Sequence, residues 1–228
     1  MKWQCLYGLS YRAYCLDCGS RNTKDLTYIT HSCSKERLQY IFEDLLPDLK
    51  GKTVVDVGSR LGAVLYGAYY FSEASKIVGI EINKDFCKLQ EDTVAKFKLK
   101  DRVKIVLGNM CAQTELLKSA DVIVLNNVFS WFMPEQLQVR TSIMLMFLNI
   151  VTTLLPQAKM WQCLHRVIRP GCLLVTIPAL EDSLTPLKTG IKIESWVKQM
   201  DGYEPTGEDD EQMELSEIKL YEVLPKSS

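Results

Sequence analysis

Five short runs rich in β-branched and aliphatic residues, separated by stretches of helical spacing, constrain this chain more than any other feature. They are Thr53-Val-Val-Asp-Val57, Lys76-Ile-Val-Gly-Ile80, Val103-Lys-Ile-Val-Leu107, Asp121-Val-Ile-Val-Leu125 and Cys172-Leu-Leu-Val-Thr-Ile177. Most are nearly continuous in apolar residues rather than strictly alternating, which is the pattern of a strand buried on both faces. Helical spacing follows from about Ala63 to Ser72, Asp85 to Lys98 and Thr114 to Lys118, and a longer helical region runs to Ile168. Ser34 is placed to cap an earlier helix whose apolar positions Leu38, Ile41, Phe42, Leu45 and Leu46 precede the breakers Pro47 and Gly51. Alternation of this kind predicts an α/β fold, a doubly wound and mostly parallel sheet covered by helices on both faces. Two further strands, near Ile191 to Val197 and Glu217 to Leu224, bring the expected sheet to seven, with the last antiparallel at its edge.

The 228 residues, 47% apolar and 24% charged, suffice for one domain with a full core. That domain is expected over 34–228, preceded by an irregular, cysteine-bearing lead-in or lid over 1–33. Twenty-seven basic against 28 acidic residues give a formal charge of -1, so a nucleic-acid partner is not expected. The average hides unlike segments. Residues 204–228 hold eight acids and two bases, a net of -6, which leaves +5 for the remainder. The basic run Lys96 to Lys104 reads as a solvated helix end and strand approach. Eight cysteines, no signal-like leader and no Asn-x-Ser/Thr acceptor suit a cytoplasmic protein, with the nucleus as a second location. Cys15 and Cys18 have half the spacing of a zinc knuckle, but free thiols are the expected state and no metal site is assigned.

Thr141 to Ala158 is a run of 18 residues without a charge. It contains Ser, Asn, Thr, Pro and Gln, so a buried helix is expected, not a membrane span. The segment 141–159 reads as an insertion, because Met160 to Gly171 already supplies the helix and turn that the fifth strand needs. A surface for a protein partner is the alternative.

The turn after the first strand is Val54-Val-Asp56-Val-Gly58-Ser-Arg60-Leu-Gly62. Gly58 and Gly62 permit a tight strand-to-helix turn and a close backbone approach. A dinucleotide fingerprint would need glycine at position 60, where the chain has Arg60. The stretch resembles the first motif of the class I, Rossmann-like S-adenosylmethionine-dependent methyltransferases, Asp/Glu-x-Gly-x-Gly-x-Gly after an apolar strand. Arg60 departs from that pattern too and implies a reshaped pocket. The resemblance implies S-adenosyl-L-methionine as cofactor, lying across the carboxyl ends of the strands against Gly58, Arg60 and Gly62. Asp56 would hold the ammonium of the methionine moiety, directly or through water.

Further cofactor contacts are expected from the next strands. Glu81 follows the second strand, 25 residues beyond Asp56, where a carboxylate accepts from both ribose hydroxyls while Ile82 covers one face of the adenine. After the third strand, Asn109 offers a carbonyl to the adenine amino group and Met110 packs on the ring. The fourth strand ends in Asn126-Asn127-Val-Phe129-Ser-Trp131. This short stretch resembles in part the Asn-Asn-Phe-x-Phe element of the Dot1-like lysine methyltransferases. The resemblance implies that Asn126 and Asn127 are the catalytic amides, orienting cofactor or nucleophile, with Asn126 also touching the cofactor, and that Phe129 and Trp131 wall a channel.

A sulfonium carries its own leaving group, so no Asp-His or metal constellation is required. His165 reads as a packed helix residue, and no general base is assigned. The expected acceptor is a protein side chain such as lysine. A small molecule is the first alternative, and a catalytically silent fold that binds a partner is the second, motivated by Arg60 and the apolar insertion.

Overall fold

The computed structural model describes residues 13–15, 23–25, 33–126, 157–200 and 210–226. In the lead-in, β1 (Ala13–Cys15) and β2 (Thr23–Asp25) form an antiparallel ladder, Ala13 opposite Asp25. The main body begins at Ser34, whose side chain accepts from the Arg37 N–H at 3.2 Å and caps α1 (Lys35–Gln39). A π-helical turn, Tyr40–Leu45, prolongs α1 until Leu46 turns extended ahead of Pro47.

A seven-stranded sheet follows, built from β3 (Thr53–Val57), β4 (Lys76–Glu81), β5 (Val103–Leu107), β6 (Val122–Asn126), β7 (Leu173–Ile177), β8 (Val197–Gln199) and β9 (Lys219–Val223). Its order is β5-β4-β3-β6-β7-β9-β8. The first five are parallel in that order, and β9 runs antiparallel to both neighbours. The connecting helices are α2 (Ala63–Phe71), α3 (Lys84–Lys96), α4 (Thr114–Ser119) and α5 (157–167), with the short α6 (Leu180–Leu184), α7 (Ile193–Trp196) and α8 (Asp210–Ser216) beyond β7.

Adjacent strand residues fall into two separate cores. Val55, Val57, Ile80, Ile123 and Leu174 pack with Trp161 and Leu164 of α5, whereas Val54, Ile77, Val124 and Val175 pack with Ile41 and Leu65. Burial on both faces is why the runs are continuously apolar, each such side chain contributing about 1.5–3 kcal/mol.

The C-terminal strands differ from expectation in two ways. β9 is antiparallel, as expected, but lies inside the sheet between β7 and β8, where Leu220, Tyr221 and Val223 are buried. The edge belongs to β8, only three residues long and exposed at Lys198 and Gln199. The alternating stretch Ile191 to Val197 is mostly a helical turn, because Trp196 drops into the core against Trp161 and His165. His165 is packed against Trp196, with ring centroids 5.3 Å apart, and burial pushes its pKa below the ordinary value.

In the basic run, Arg102 has a structural role. Its guanidinium donates to the carbonyls of Tyr69, Ser72 and Ala74 at the end of α2 and stacks on the Tyr69 ring, while Lys96, Lys98, Lys100 and Lys104 are exposed. Burial raises the thiols of Cys87 and Cys172, to about 11 and about 12, which suits packed rather than reactive cysteines.

Among the described residues no helix is long and apolar enough to cross a membrane, and no three His, Cys, Asp or Glu side chains cluster as metal ligands. Cys18, Asn127, Phe129, Trp131 and all of the 141–159 insertion except its last three residues lie outside the described residues; those three, 157–159, open α5.

Candidate functional site

The strand order reverses between β3 and β6, so a crevice opens at their carboxyl ends. The turn from β3 into α2 forms its floor. Gly58, Arg60 and Gly62 have φ values of 72°, 48° and 85°. The N–H groups of Gly58 and Ser59 both donate to the Ile80 carbonyl, at 2.8 and 3.1 Å, and that of Gly62 donates to Ser59 at 2.7 Å. The left-handed region is natural for the two glycines but costs Arg60 about 1–2 kcal/mol.

Three neighbours hold Arg60 in this conformation. Its N–H donates to Glu81 Oε2 at 2.8 Å, and its carbonyl accepts from Gln90 Nε2 at 2.6 Å. Ser59 Oγ donates to Gln90 Oε1 at 2.8 Å. Gln90 lies fully buried on the inner face of α3 beside Phe86, Cys87 and Val94. Sequence reading missed both Gln90 and Ser59. The available signal was an amide at an apolar position of a helix face.

Replacing Gln90 by Leu is expected to leave Ser59 Oγ and the Arg60 carbonyl without partners and to destabilise the protein by about 1–3 kcal/mol. Urea denaturation measures this, and an unchanged midpoint would refute the clasp.

Asp56, next to last in β3, and Glu81, last in β4, are 2% and 6% exposed. Glu81 Oε1 accepts from the Asn83 N–H at 2.8 Å and Oε2 from Arg60, so each oxygen keeps further lone-pair capacity. Burial, and then the nearby Glu81, push the Asp56 carboxyl up to about 7, while Arg60 opposes that rise. For Arg60 burial lowers the pKa, and both carboxylates counter it. Around these charges the surface is apolar. Ile82, Leu107 and Leu61 are 62%, 52% and 48% exposed, and Leu107 stands directly opposite Glu81 in register.

The structure therefore gathers Asp56, Gly58, Arg60, Gly62, Glu81 and Ile82 at the ends of β3 and β4. Asn109 and Met110 lie beyond β5 with other engagements. Asn109 Oδ1 accepts from the Cys111 N–H at 2.8 Å, capping the short 3-10 turn Met110–Ala112, and Met110 is buried in the core. Backbone N–H groups at the turn need an acceptor, and Asn109 is the nearest one. Asn126 is half-buried at the end of β6, opposite Ile177 of β7.

No protein-family model matches the chain, and no curated protein sequence matches it at a significant level. Solved structures do share its architecture. NSun6 from Pyrococcus horikoshii, solved with SFG, superposes with a TM-score of 0.56 at 15% identity, over 85% of this chain and 51% of that one. A Clostridium thermocellum protein assigned as an rRNA-methylase gives 0.51 at 10% identity, over 87% of this chain and 99% of that one. The chain has the Rossmann-like methyltransferase fold.

At these identities the likeness is one of fold, and the chain spans about half the length of NSun6. In open α/β sheets ligands bind outside the carboxyl ends of the strands at the point where the strand order reverses, and here that point is beside β3. The expectation that nucleic acid is not a partner is corrected here. A protein assigned to rRNA methylation shares the fold, and a near-neutral net charge is a sum over the whole chain that leaves the charge at the crevice mouth undetermined.

Proposed function

We propose that this chain is an S-adenosylmethionine-dependent methyltransferase that takes its cofactor in the crevice over β3 and β4. One observation carries the reading: two buried carboxylates, Asp56 and Glu81, lie at the carboxyl ends of adjacent strands, and Glu81 accepts from the backbone of the left-handed turn that follows Asp56. The residues fit the cofactor. Glu81 has acceptor capacity left for the ribose hydroxyls, Ile82 and Leu107 expose apolar faces that suit a purine, and Asp56 suits an ammonium. The bound cofactor would supply a methyl group on a sulfonium, with the leaving group built in. The chain's own part is to orient the acceptor in line with that group and exclude water. Asn126, half-buried at the end of β6, can donate to or accept from the acceptor.

The acceptor in this reading is a protein side chain such as lysine, supported by the likeness of the Asn126-Asn127 stretch to the Dot1-like element. An RNA acceptor is the second reading, favoured by the fold shared with the assigned rRNA-methylase.

Calorimetric titration with S-adenosylmethionine and S-adenosylhomocysteine tests the cofactor. Binding is expected, weakened about 10- to 100-fold by Glu81→Ala, as for loss of charge-assisted hydrogen bonds. No binding at millimolar cofactor refutes the reading. Transfer of a labelled methyl group into the protein, RNA and small-molecule fractions of an extract then separates the acceptors. Label in protein supports the lysine reading, label in RNA replaces it with the second, and label only in small molecules sinks both.

A further inference from the structure

Arg60 stands where the first-motif pattern has glycine, and the protein holds this long cation in a backbone conformation that glycine would adopt without cost. The strain is sustained by contacts on both sides of the residue, Glu81 on its N–H and Gln90 on its carbonyl. The residue is half-buried on the turn that floors the crevice, with its backbone against the Glu81 carboxylate and four residues from Asp56, and both carboxylates raise its pKa against the effect of burial.

A cation in this place has to be reconciled with the ligand. S-adenosylmethionine carries a sulfonium and an ammonium, which a guanidinium repels, and a single anionic group, its carboxylate. Asp56 is already suited to the ammonium, and the carboxylate is bonded to the same carbon of the methionine tail. The two opposite charges of that tail therefore meet two opposite charges of the protein four residues apart on one turn.

Building on the function proposed above, we infer that Arg60 is a specificity-determining residue that binds the carboxylate of the cofactor's methionine tail and makes the site select for cofactors that retain it. A guanidinium pairs with a carboxylate through two parallel hydrogen bonds, whereas Lys supplies only a point charge.

Titration calorimetry on the full chain uses three ligands: S-adenosylhomocysteine, decarboxylated S-adenosylmethionine, which keeps the amine, and methylthioadenosine, which lacks both tail charges. The variants are Arg60→Gln, Arg60→Lys and Arg60→Gly. Arg60→Gly relieves the positive φ, so its folding is secure and any loss of affinity belongs to the side chain. The expected result is a 10- to 100-fold loss of S-adenosylhomocysteine affinity in Arg60→Gln and Arg60→Gly and a smaller loss in Arg60→Lys. Methylthioadenosine should bind wild type and variants alike, and decarboxylated S-adenosylmethionine, freed of the guanidinium's repulsion, should bind Arg60→Gln and Arg60→Gly at least as tightly as wild type.

Equal S-adenosylhomocysteine binding by wild type and Arg60→Gly overturns the inference. So does an equal loss for all three ligands, which would mark Arg60 as a structural residue of the turn. Wild type that binds none of the ligands overturns the proposed function itself, and the inference with it, and is distinguishable because no variant is needed to see it.

Discussion

Asp56→Asn is expected to stabilise the free protein at pH 8 while weakening its grip on cofactor. Asp56 is 2% exposed, and its carboxyl is pushed up to about 7 by burial first and by Glu81 second, with Arg60 pulling the other way. Cys33, itself buried, also lies within electrostatic reach. An unfolded aspartate titrates near about 3.9. Between that value and about 7 the native protein retains a proton that the unfolded chain has released, so stability falls as the pH rises through this window. Above it the full cost of an ionised buried carboxylate is present. A shift of this size sets a ceiling of roughly 4 kcal/mol, and relaxation around the site leaves about half of it.

Asparagine matches the shape of aspartate without the charge. The melting temperature is expected to rise by about 4–8 °C at pH 8, and the gain to shrink toward zero near pH 4. Affinity for S-adenosylmethionine should fall about 10- to 100-fold, since an amide replaces the charged partner of the ammonium. Wild-type binding should also weaken as the pH drops below about 7 and Asp56 takes up its proton. Scanning fluorimetry and calorimetry across this range check each part. A lower melting temperature for the variant at pH 8, or undiminished cofactor affinity, would sink the assignment.

Gly79→Ala should damage both fold and site. A Cβ at Gly79 would lie 2.6 Å from Ser59 Oγ and 2.7 Å from Leu65 Cδ1. Neither neighbour can swing aside, because Ser59 is bonded to buried Gln90 and Leu65 is fully buried at the start of α2. The added methyl must push the turn off β4, at about 1–3 kcal/mol. Since that turn carries Arg60, cofactor affinity should fall together with stability. Gly67→Ala is the control. Its Cβ would meet Leu38 of α1 at 2.8 Å, so it should lower stability and leave cofactor affinity near wild type. Equal effects of the two variants on affinity would mean that Gly79 serves the fold alone.

The parts of the site legible in the sequence are those in which chemistry and local geometry coincide. Asp56, Gly58 and Gly62 lie on one short turn, and Glu81 closes the next strand, so a run of residues reveals them. Gln90 and Ser59 escaped notice because their hydrogen bond joins positions 31 residues apart, and an amide on α3 looks like any polar helix residue until it proves buried. Asn109 and Met110 show the structure adding roles that residue type alone did not reveal. Their types suit a purine, and in the fold one also caps a turn while the other packs into the core.

Sequence by itself determined the β/α alternation, six of the seven strands and the place of the charged turn, because backbone propensity and burial on both faces leave a periodic record in the chain. Tertiary structure decided what no period records. It placed β9 inside the sheet and left the edge to β8, because β9 had apolar residues for both cores and β8 did not. It also brought Arg60, Glu81, Ser59 and Gln90 into one clasp, since polar side chains find their partners through space, and the cost of leaving them unpaired is felt only after the chain has folded.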